Sequence, residues 1–165
     1  MAGFGEKRDN GLANSAKSGI LSEKDIYALN QYKSSNVAYT LNAALRGEVP
    51  ITEEFRQIVY NIDQMLSKLP AYQGTVYRSL QSANMVDEES FWRKYVPGSY
   101  VVEPAFTSTS TEIYDKTMDV QMIVQSKHGC DMREYNKLEQ EILFKRGSLF
   151  FVEKRMGHII WLTEI

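Results

Sequence analysis

The chain has 165 residues, of which 43% are hydrophobic and 24% charged, with a formal net charge of −2. This composition predicts one soluble globular domain and argues against nucleic-acid binding, which favours a clustered basic surface. A single cysteine excludes an internal disulfide, and with only two histidines a structural zinc site is not expected. The sequence contains no run of roughly 18 apolar residues, so it predicts no membrane span.

The N-terminal segment differs in composition from the rest. Residues 1–20 are rich in Gly, Ser, Ala and Asn, which predicts a flexible lead-in to a single domain over residues 21–165. The lead-in lacks an apolar core segment and therefore does not predict a signal peptide.

Three helices are predicted before Pro70. The first begins at a capping box, in which Ser22 and Asp25 satisfy free backbone amides of the first turn. The second spans residues 36–46 and stops at a glycine. The third spans residues 52–69, where apolar residues recur at helical spacing, and it ends at Pro70.

After Pro70 the pattern changes to short β-type runs separated by turn residues. We predict strands over 75–78, 100–110, 120–125, 141–144, 149–153 and 159–163, and a short Asp-capped helix over 87–95. Helices gathered first and strands afterwards predict an α+β fold with an antiparallel sheet core.

The most informative motif is Glu-Gln-Glu at residues 139–141. If the segment is extended, Glu139 and Glu141 share one face, about 7 Å apart, while Ile142 and Phe144 share the other. Two partly buried carboxylates at that distance raise one another's pKa and need compensating donors. Taken alone, the motif is more often that of a solvated strand end with two surface glutamates.

A second motif is Phe-Thr-Ser-Thr-Ser at residues 106–110. In an extended chain Ser108 and Ser110 lie on the same face as Phe106. Small hydroxyl groups can orient a carboxylate or approach a ligand without crowding it. The alternative is an ordinary edge strand rich in Thr and Ser.

The third motif is Arg78, which directly follows a β-type run. A guanidinium group presents a rigid fork of donors that suits phosphate or carboxylate. An exposed arginine or a structural salt bridge is the alternative interpretation.

In this order and spacing the three motifs resemble the Arg-Ser-Glu class of mono-ADP-ribosyltransferases, a class that includes many bacterial toxins. The segment 126–136 is similar to the family's lead into its catalytic loop, and the resemblance covers about residues 73–165. It implies that residues 21–165 form a single catalytic domain with N-terminal helices and a core of two antiparallel sheets. It also implies NAD as co-substrate, without a metal.

The resemblance further implies roles for individual residues. Arg78, with Ser79 beside it, would hold the phosphates of NAD or the ribose next to them. Ser108 would orient Glu141 by a hydrogen bond, and Glu141 would bind the 2′-hydroxyl of the nicotinamide ribose. Cleavage of the bond between nicotinamide and ribose would pass through an oxocarbenium-like transition state, as the hydrolysis of a glycosidic bond does.

Four more residues complete the NAD-binding set that the resemblance implies. Thr109 and Ser110 would shape the pocket behind Ser108. Tyr114 and Lys116 lie in the segment that corresponds to the family's phosphate–nicotinamide loop, where they would stack on nicotinamide and pair with phosphate. An ordinary surface loop is an equal alternative for that segment.

Glu139 indicates which side chain of a target protein would accept ADP-ribose. In the family a glutamate at this position accompanies arginine targets, whereas a glutamine accompanies other side chains. Tyr135 would stack on the target protein, and Asn136 stands where some relatives carry an aromatic residue. Tyr135, Asn136 and Glu139 therefore form the target-recognition set.

The resemblance implies a secreted or injected effector that acts in the cytoplasm of a target cell. A protein carrying an acceptor arginine and an immunity protein are the implied partners. Two alternatives remain open at this point. One is an NAD glycohydrolase with the same NAD site, and the other is a catalytically weak module that binds NAD or a partner.

Overall fold

The structure, a computed structural model, describes residues 20–34 and 36–165. The lead-in predicted for residues 1–20 therefore lies outside the described residues, except for Ile20. The described part of the chain forms four α-helices, a short 3-10 helix (Ser82–Asn84) and seven strands. The helices are α1 (Glu23–Lys33), α2 (Val37–Leu45), α3 (Glu53–Leu66) and α4 (Glu88–Lys94). The strands are β1 (Ala71–Leu80), β2 (Tyr100–Glu103), β3 (Thr107–Ser110), β4 (Val120–Asp131), β5 (Glu141–Phe144), β6 (Ser148–Met156) and β7 (Ile159–Glu164).

The predicted helix boundaries are confirmed to within a few residues. At the start of α1 the Asp25 amide donates to Ser22 Oγ at 3.1 Å, and the Ser22 amide donates to Asp25 Oδ2 at 2.9 Å, so the capping box is present. Helix α3 begins after Thr52, which caps it, and ends at Leu66 rather than at residue 69. Residues 67–69 form hydrogen-bonded turns instead of helix.

Helices α1, α2 and α3 pack on the sheet through one hydrophobic cluster, whereas α4 packs against a second one. Leu29 and Tyr32 of α1 lie in it together with Leu41 of α2 and Ile62 of α3. Phe106, Cys130, Met132, Tyr135 and Leu143 belong to the same cluster and come from the strands and loops beneath the helices. Burial of these side chains holds α1 against the sheet, because apolar area removed from water stabilises the folded state by roughly 25 cal/mol per Å².

All seven strands belong to one mixed sheet, in the order β1-β3-β5-β4-β7-β6-β2. Strand β1 also pairs with β4, so β1, β3, β5 and β4 form a closed circuit of paired strands. The pair β4–β7 is parallel and the other pairs are antiparallel. The predicted core of two antiparallel sheets is therefore wrong. The reason is the 12-residue strand β4, which pairs with β1, β5 and β7. It thereby joins β1, β3 and β5 to β7, β6 and β2 in one sheet.

The strand predicted over residues 100–110 is divided into β2 and β3. Pro104 follows β2 and has no amide hydrogen to donate to a neighbouring strand. The Phe106 amide donates to Asn42 Oδ1 at 3.2 Å instead of to a strand. Strand β2 consequently pairs with β6, while β3 pairs with β5 and brings its hydroxyl groups to the opposite part of the sheet.

Asp25 anchors α1 to the end of α3, because its carboxylate accepts from Lys68 Nζ at 2.5 Å as well as from Ser22. Burial raises the pKa of Asp25, but the bonds from Lys68 and Ser22 outweigh it and hold the pKa below its ordinary value. A carboxyl with a depressed folded-state pKa stabilises the fold above its unfolded pKa of about 3.9, and this contribution is lost as the pH falls.

We therefore predict that Asp25→Asn lowers the free energy of unfolding by about 2 kcal/mol at pH 7. The difference from wild type should shrink below about pH 4, because Asp25 itself then becomes protonated. Urea denaturation at pH 7 and pH 3 measures both values. Asp63→Asn is the control, since the exposed pair of Asp63 with Arg146 is worth less than about 1 kcal/mol. A pH-independent difference for Asp25→Asn would contradict the assignment.

Candidate active site

Glu141 opens strand β5 and is only 4% exposed. Its Oε2 accepts a hydrogen bond of 2.6 Å from Ser108 Oγ on β3. The antiparallel register of β3 and β5 places Ser110 opposite Glu141 and Ser108 opposite Leu143. Ser108 is therefore the diagonal neighbour of Glu141 across the two strands, within reach of its side chain. A buried carboxylate with a short bond from a hydroxyl group is held in one orientation.

Glu139 does not lie on a strand. It belongs to the turn before β5, and Gln140 has a left-handed backbone with φ +48°, so the alternation predicted for residues 139–141 is wrong. The turn nevertheless brings the Glu139 and Glu141 side chains close together, so that Asn136 and Lys33 contact both carboxylates.

Two donors bridge the glutamates. The Asn136 amide donates to Glu139 Oε1 at 2.9 Å and to Glu141 Oε1 at 2.8 Å. The Lys33 ammonium lies 3.4 Å from Glu141 Oε1 and 3.6 Å from Glu139 Oε1. The Tyr114 hydroxyl donates to the other oxygen of Glu139 at 3.2 Å. These are the compensating donors that the sequence requires for two neighbouring carboxylates.

The donors determine the protonation of Glu139. Burial raises the pKa of this carboxyl, but the Lys33 charge and the bonds from Asn136 and Tyr114 outweigh it, so the pKa lies below its ordinary value. The pKa increase predicted from like charges is thus wrong for Glu139. The reason is that an ammonium group faces the pair.

Arg78 lies on β1, and its Nη1 donates to the backbone carbonyl of Ser108 at 2.9 Å. Burial lowers the pKa of Arg78, although a guanidinium stays protonated in proteins. The neighbouring Ser79 hydroxyl donates to Gln121 Oε1 at 2.9 Å. Arg78 therefore presents a permanent positive charge next to the serine that orients Glu141.

A cleft of about 910 Å³ lies at this site, at the upper end of the roughly 300–1,000 Å³ usual for small-molecule sites. The predicted residues that line it are Arg78, Ser79, Ser108, Thr109, Glu139 and Glu141. Three cations that were not predicted also line it, namely Lys33, Arg46 and Lys94. Lys33 and Lys94 are the last residues of α1 and α4, and Arg46 directly follows α2. No spacing pattern marked them.

Three of the predicted NAD-binding residues make other contacts or lie outside the cleft. Thr109 lines the cleft, but its hydroxyl donates to the Ile142 carbonyl at 2.7 Å. Ser110 is buried and its hydroxyl accepts from the Glu112 amide at 3.0 Å. Lys116 is exposed and does not line the cleft.

The prediction that Tyr135 recognises a target is wrong. Its side chain is 6% exposed and belongs to the cluster beneath the helices. A ring buried in the core cannot stack on another protein. Tyr114 is instead the accessible aromatic residue beside Glu139, with 57% of its surface exposed.

Within residues 20–34 and 36–165, no three His, Cys, Asp or Glu side chains are grouped so as to hold a metal ion. In the same part of the chain, none of the helices has the length and apolar character needed to cross a membrane.

Residues 3–159 match the family model described as ADP-ribosyltransferase exoenzyme. The chain belongs to the ADP-ribosyltransferase exoenzyme family. The resemblance that the three motifs carry is thereby confirmed.

Relatives in the family agree with this assignment. The chain is 31% identical over 153 residues to the NAD(+)–protein-arginine ADP-ribosyltransferase Tre1 of Serratia proteamaculans, covering 90% of this chain and 33% of Tre1. It is 30% identical over 148 residues to Tre1 of Pseudomonas putida, covering 86% of this chain and 28% of that protein. The chain thus spans about a third of the length of these two relatives.

A solved structure shares the fold. The type III effector XopAI of Xanthomonas axonopodis pv. citri superimposes with a TM-score of 0.73 at 22% identity. The match covers 89% of this chain and 69% of XopAI. The two proteins therefore share a fold that combines helices with a mixed sheet.

Proposed function

We propose that residues 21–165 form the catalytic domain of a mono-ADP-ribosyltransferase toxin or effector. The domain cleaves the nicotinamide–ribose bond of NAD and transfers ADP-ribose to an arginine of a target protein, with release of nicotinamide. The observation that carries the proposal is the Ser108–Glu141 hydrogen bond, which lies in the cleft that Arg78 lines and beside Glu139. The names of the two Tre1 relatives support NAD and arginine as the substrates.

The cleft suits a dinucleotide in volume, and Arg78 supplies a cation for its phosphates. The guanidinium of Arg78 can donate two parallel bonds to a phosphate. Arg46 and Lys94 also line the cleft, where they pair with Glu48 and Glu103. Ser79 and Thr109 line the cleft near Arg78 and belong to the proposed NAD site. Contacts of NAD with Ser110, Tyr114 and Lys116 stay predictions that the resemblance alone supports.

Glu141 acts on the nicotinamide ribose. As the bond to nicotinamide lengthens, positive charge develops on the ribose, and a hydrogen bond from the 2′-hydroxyl to Glu141 tightens. Ser108 holds the other oxygen of Glu141, so little reorganisation accompanies the reaction. Electrostatic groups that are oriented in advance stabilise such transition states most effectively.

Glu139 acts on the acceptor. A nitrogen of the arginine guanidinium forms the new bond to the anomeric carbon, nicotinamide leaves with the electron pair of the broken bond, and the guanidinium loses a proton. Glu139 is ionised and partly exposed at the mouth of the cleft, so it can pair with the guanidinium and receive this proton. Two exposed side chains, Leu138 (92% exposed) and Tyr114, flank Glu139 where a target would approach.

The remaining proposals concern the protein's surroundings. A target protein with an acceptor arginine is the required partner, and an immunity protein would protect a producing cell. The name of XopAI as a type III effector supports an injected or secreted protein that acts in the cytoplasm of a target cell. Mass spectrometry of proteins modified in a susceptible cell identifies the target.

Replacing Glu141 by glutamine tests the NAD-cleaving group. We predict that Glu141→Gln loses at least about 100-fold in both transfer and NAD hydrolysis, because the charge facing the ribose is removed. Circular dichroism should show an unchanged fold. Glu153→Gln, an exposed glutamate on β6, is the matched control and should keep full activity. Near-normal turnover of Glu141→Gln would refute the site.

Arg78 tests the NAD-binding cleft. Arg78→Ala should raise the dissociation constant of NAD by about 10-fold or more, the equivalent of one or two hydrogen bonds to a charged group. Arg78→Lys should not restore binding, because a point charge cannot bind Ser108 and phosphate through a planar fork. Calorimetric titration with NAD measures this, with Arg146→Ala as a control outside the cleft. Wild-type affinity in both Arg78 variants would make Arg78 a structural residue only.

Glu139 separates transfer from hydrolysis. We predict that Glu139→Gln reduces modification of the target by about 100-fold or more while NAD hydrolysis stays measurable, since the amide offers neither charge nor basicity to the acceptor. Nicotinamide release and protein labelling, measured on the same variant, distinguish the two reactions. Wild-type adducts should lie on arginine. Equal loss of both activities would mean that Glu139 shapes the NAD site, and adducts on another residue type would contradict the proposed acceptor.

A further inference from the structure

Lys33 is the last residue of α1, and its ammonium group reaches both glutamates of the site. All four carboxylate oxygens are bound: the two Oε1 atoms by Lys33 and Asn136, Glu141 Oε2 by Ser108, and Glu139 Oε2 by Tyr114. Among these four donors only Lys33 carries a charge. The others are a neutral amide and two hydroxyl groups.

This difference matters because neutral donors orient carboxylates but do not neutralise them. Two carboxylates bound to the same Asn136 amide repel each other, and without a cation one of them takes up a proton at a higher pH. An ammonium within 4 Å of both oxygens counteracts that tendency. With Lys33 the group of three side chains has a net charge of −1, which a single acceptor guanidinium balances.

The helical layer delivers this cation to the site. Tyr32, which precedes Lys33, is buried; its hydroxyl accepts from Asn42 Nδ2 at 2.8 Å, and its ring contacts the edge of Phe106 at 5.7 Å between centroids. A lysine at the end of a helix also faces the negative end of the helix dipole, which attracts a positive side chain. Its side chain is 32% exposed, so it lies at the rim of the cleft rather than in the core.

The other titratable groups around Glu139 and Glu141 keep their protonation states over the pH range of the reaction. Burial raises the pKa of Tyr32 on α1 to about 12, and the Asn42 bond only partly offsets this. Burial and the Glu139 charge raise the pKa of Tyr114 as well. Arg46, which directly follows α2, and Arg78 on β1 are the arginines near Tyr32. Asp115 follows in the loop after β3, and the Thr117 bonds lower its pKa, which keeps it ionised.

We propose that Lys33 is a positioning residue that keeps Glu139 and Glu141 ionised together and thereby sets the lower pH limit of NAD cleavage. The inference rests on the proposed function for the reaction itself, but not for the titration of the two carboxyl groups. Lys33 acts through the glutamates and does not touch the bond that breaks. Helix α1 is in this way part of the active site and not only a support for the sheet.

The test is the pH dependence of nicotinamide release from NAD, without a protein acceptor, for wild type, Lys33→Met, Lys33→Gln and Lys33→Arg. In the two neutral variants the acid limb should move to higher pH by about 1 unit, the lower end of the range for loss of an opposite charge. The plateau rate at pH 8 to 9 serves to normalise each profile, because the proposal concerns the midpoint of the acid limb. Lys33→Arg should keep the wild-type midpoint because it restores the charge.

Lys24→Met is the matched control, since it makes the same change at an exposed position of the same helix. It should leave the profile unchanged, and thermal unfolding should show that every variant is folded. An unshifted acid limb in folded Lys33→Met and Lys33→Gln would overturn the proposal, whatever their absolute rates. A shifted limb in Lys33→Arg would overturn it too, because charge would then not be the cause.

A second measurement does not depend on turnover. Carboxyl ¹³C shifts of glutamate-labelled protein report the titration of Glu139 and Glu141, assigned by the Glu139→Gln and Glu141→Gln variants. Lys33→Met should raise at least one of the two midpoints by about 1 unit. If wild type released no nicotinamide at any pH, the proposed function would fail while this titration still decided the role of Lys33. Unshifted midpoints in Lys33→Met would refute that role.

Discussion

Two carboxylates, those of Glu139 and Glu141, lie together at the start of β5, and the surrounding structure supplies them with hydrogen-bond donors and one positive charge. Glu141 is buried and Glu139 half-buried, so neither can rely on water alone for its hydrogen bonds. The donors come from distant parts of the chain: Lys33 from α1, Ser108 from β3, Tyr114 from the loop after β3, and Asn136 from the loop before β5. Placing all four around one pair of glutamates requires both the helical layer and the sheet.

The closed circuit of β1, β3, β5 and β4 holds the chemical groups at fixed distances. Strand β3 lies between β1 and β5, so Ser108 meets Arg78 through its carbonyl and Glu141 through its hydroxyl. One serine thus connects the group that suits a phosphate to the group that suits a ribose. Because the strands are paired on both sides, the cleft can keep this geometry without a ligand.

The helices contribute chemistry as well as packing. Lys33, Arg46 and Lys94 lie at or next to the C-terminal ends of α1, α2 and α4, and all three line the cleft. Helix ends favour positive side chains because the helix dipole is negative there. Three helices therefore bring cations to the cleft of the proposed NAD site, where Glu48 pairs with Arg46 and Glu103 pairs with Lys94.

The sequence by itself determined the helices, most strands and the family, because these depend on local spacing: the Ser22–Asp25 cap, the apolar repeat of α3 and the order of Arg78, Ser108 and Glu141. Local spacing did not determine which strands pair, so the single mixed sheet built around β4 could not be read from it. Nor did it reveal that Tyr135 is buried or that Gln140 takes a left-handed backbone, which removes Glu139 from the strand. Lys33 joins the site from 108 residues away along the chain, and only the packing of α1 on the sheet brings its charge to Glu141. Contacts of that kind depend on the tertiary fold, and no pattern within a short window of sequence contains them.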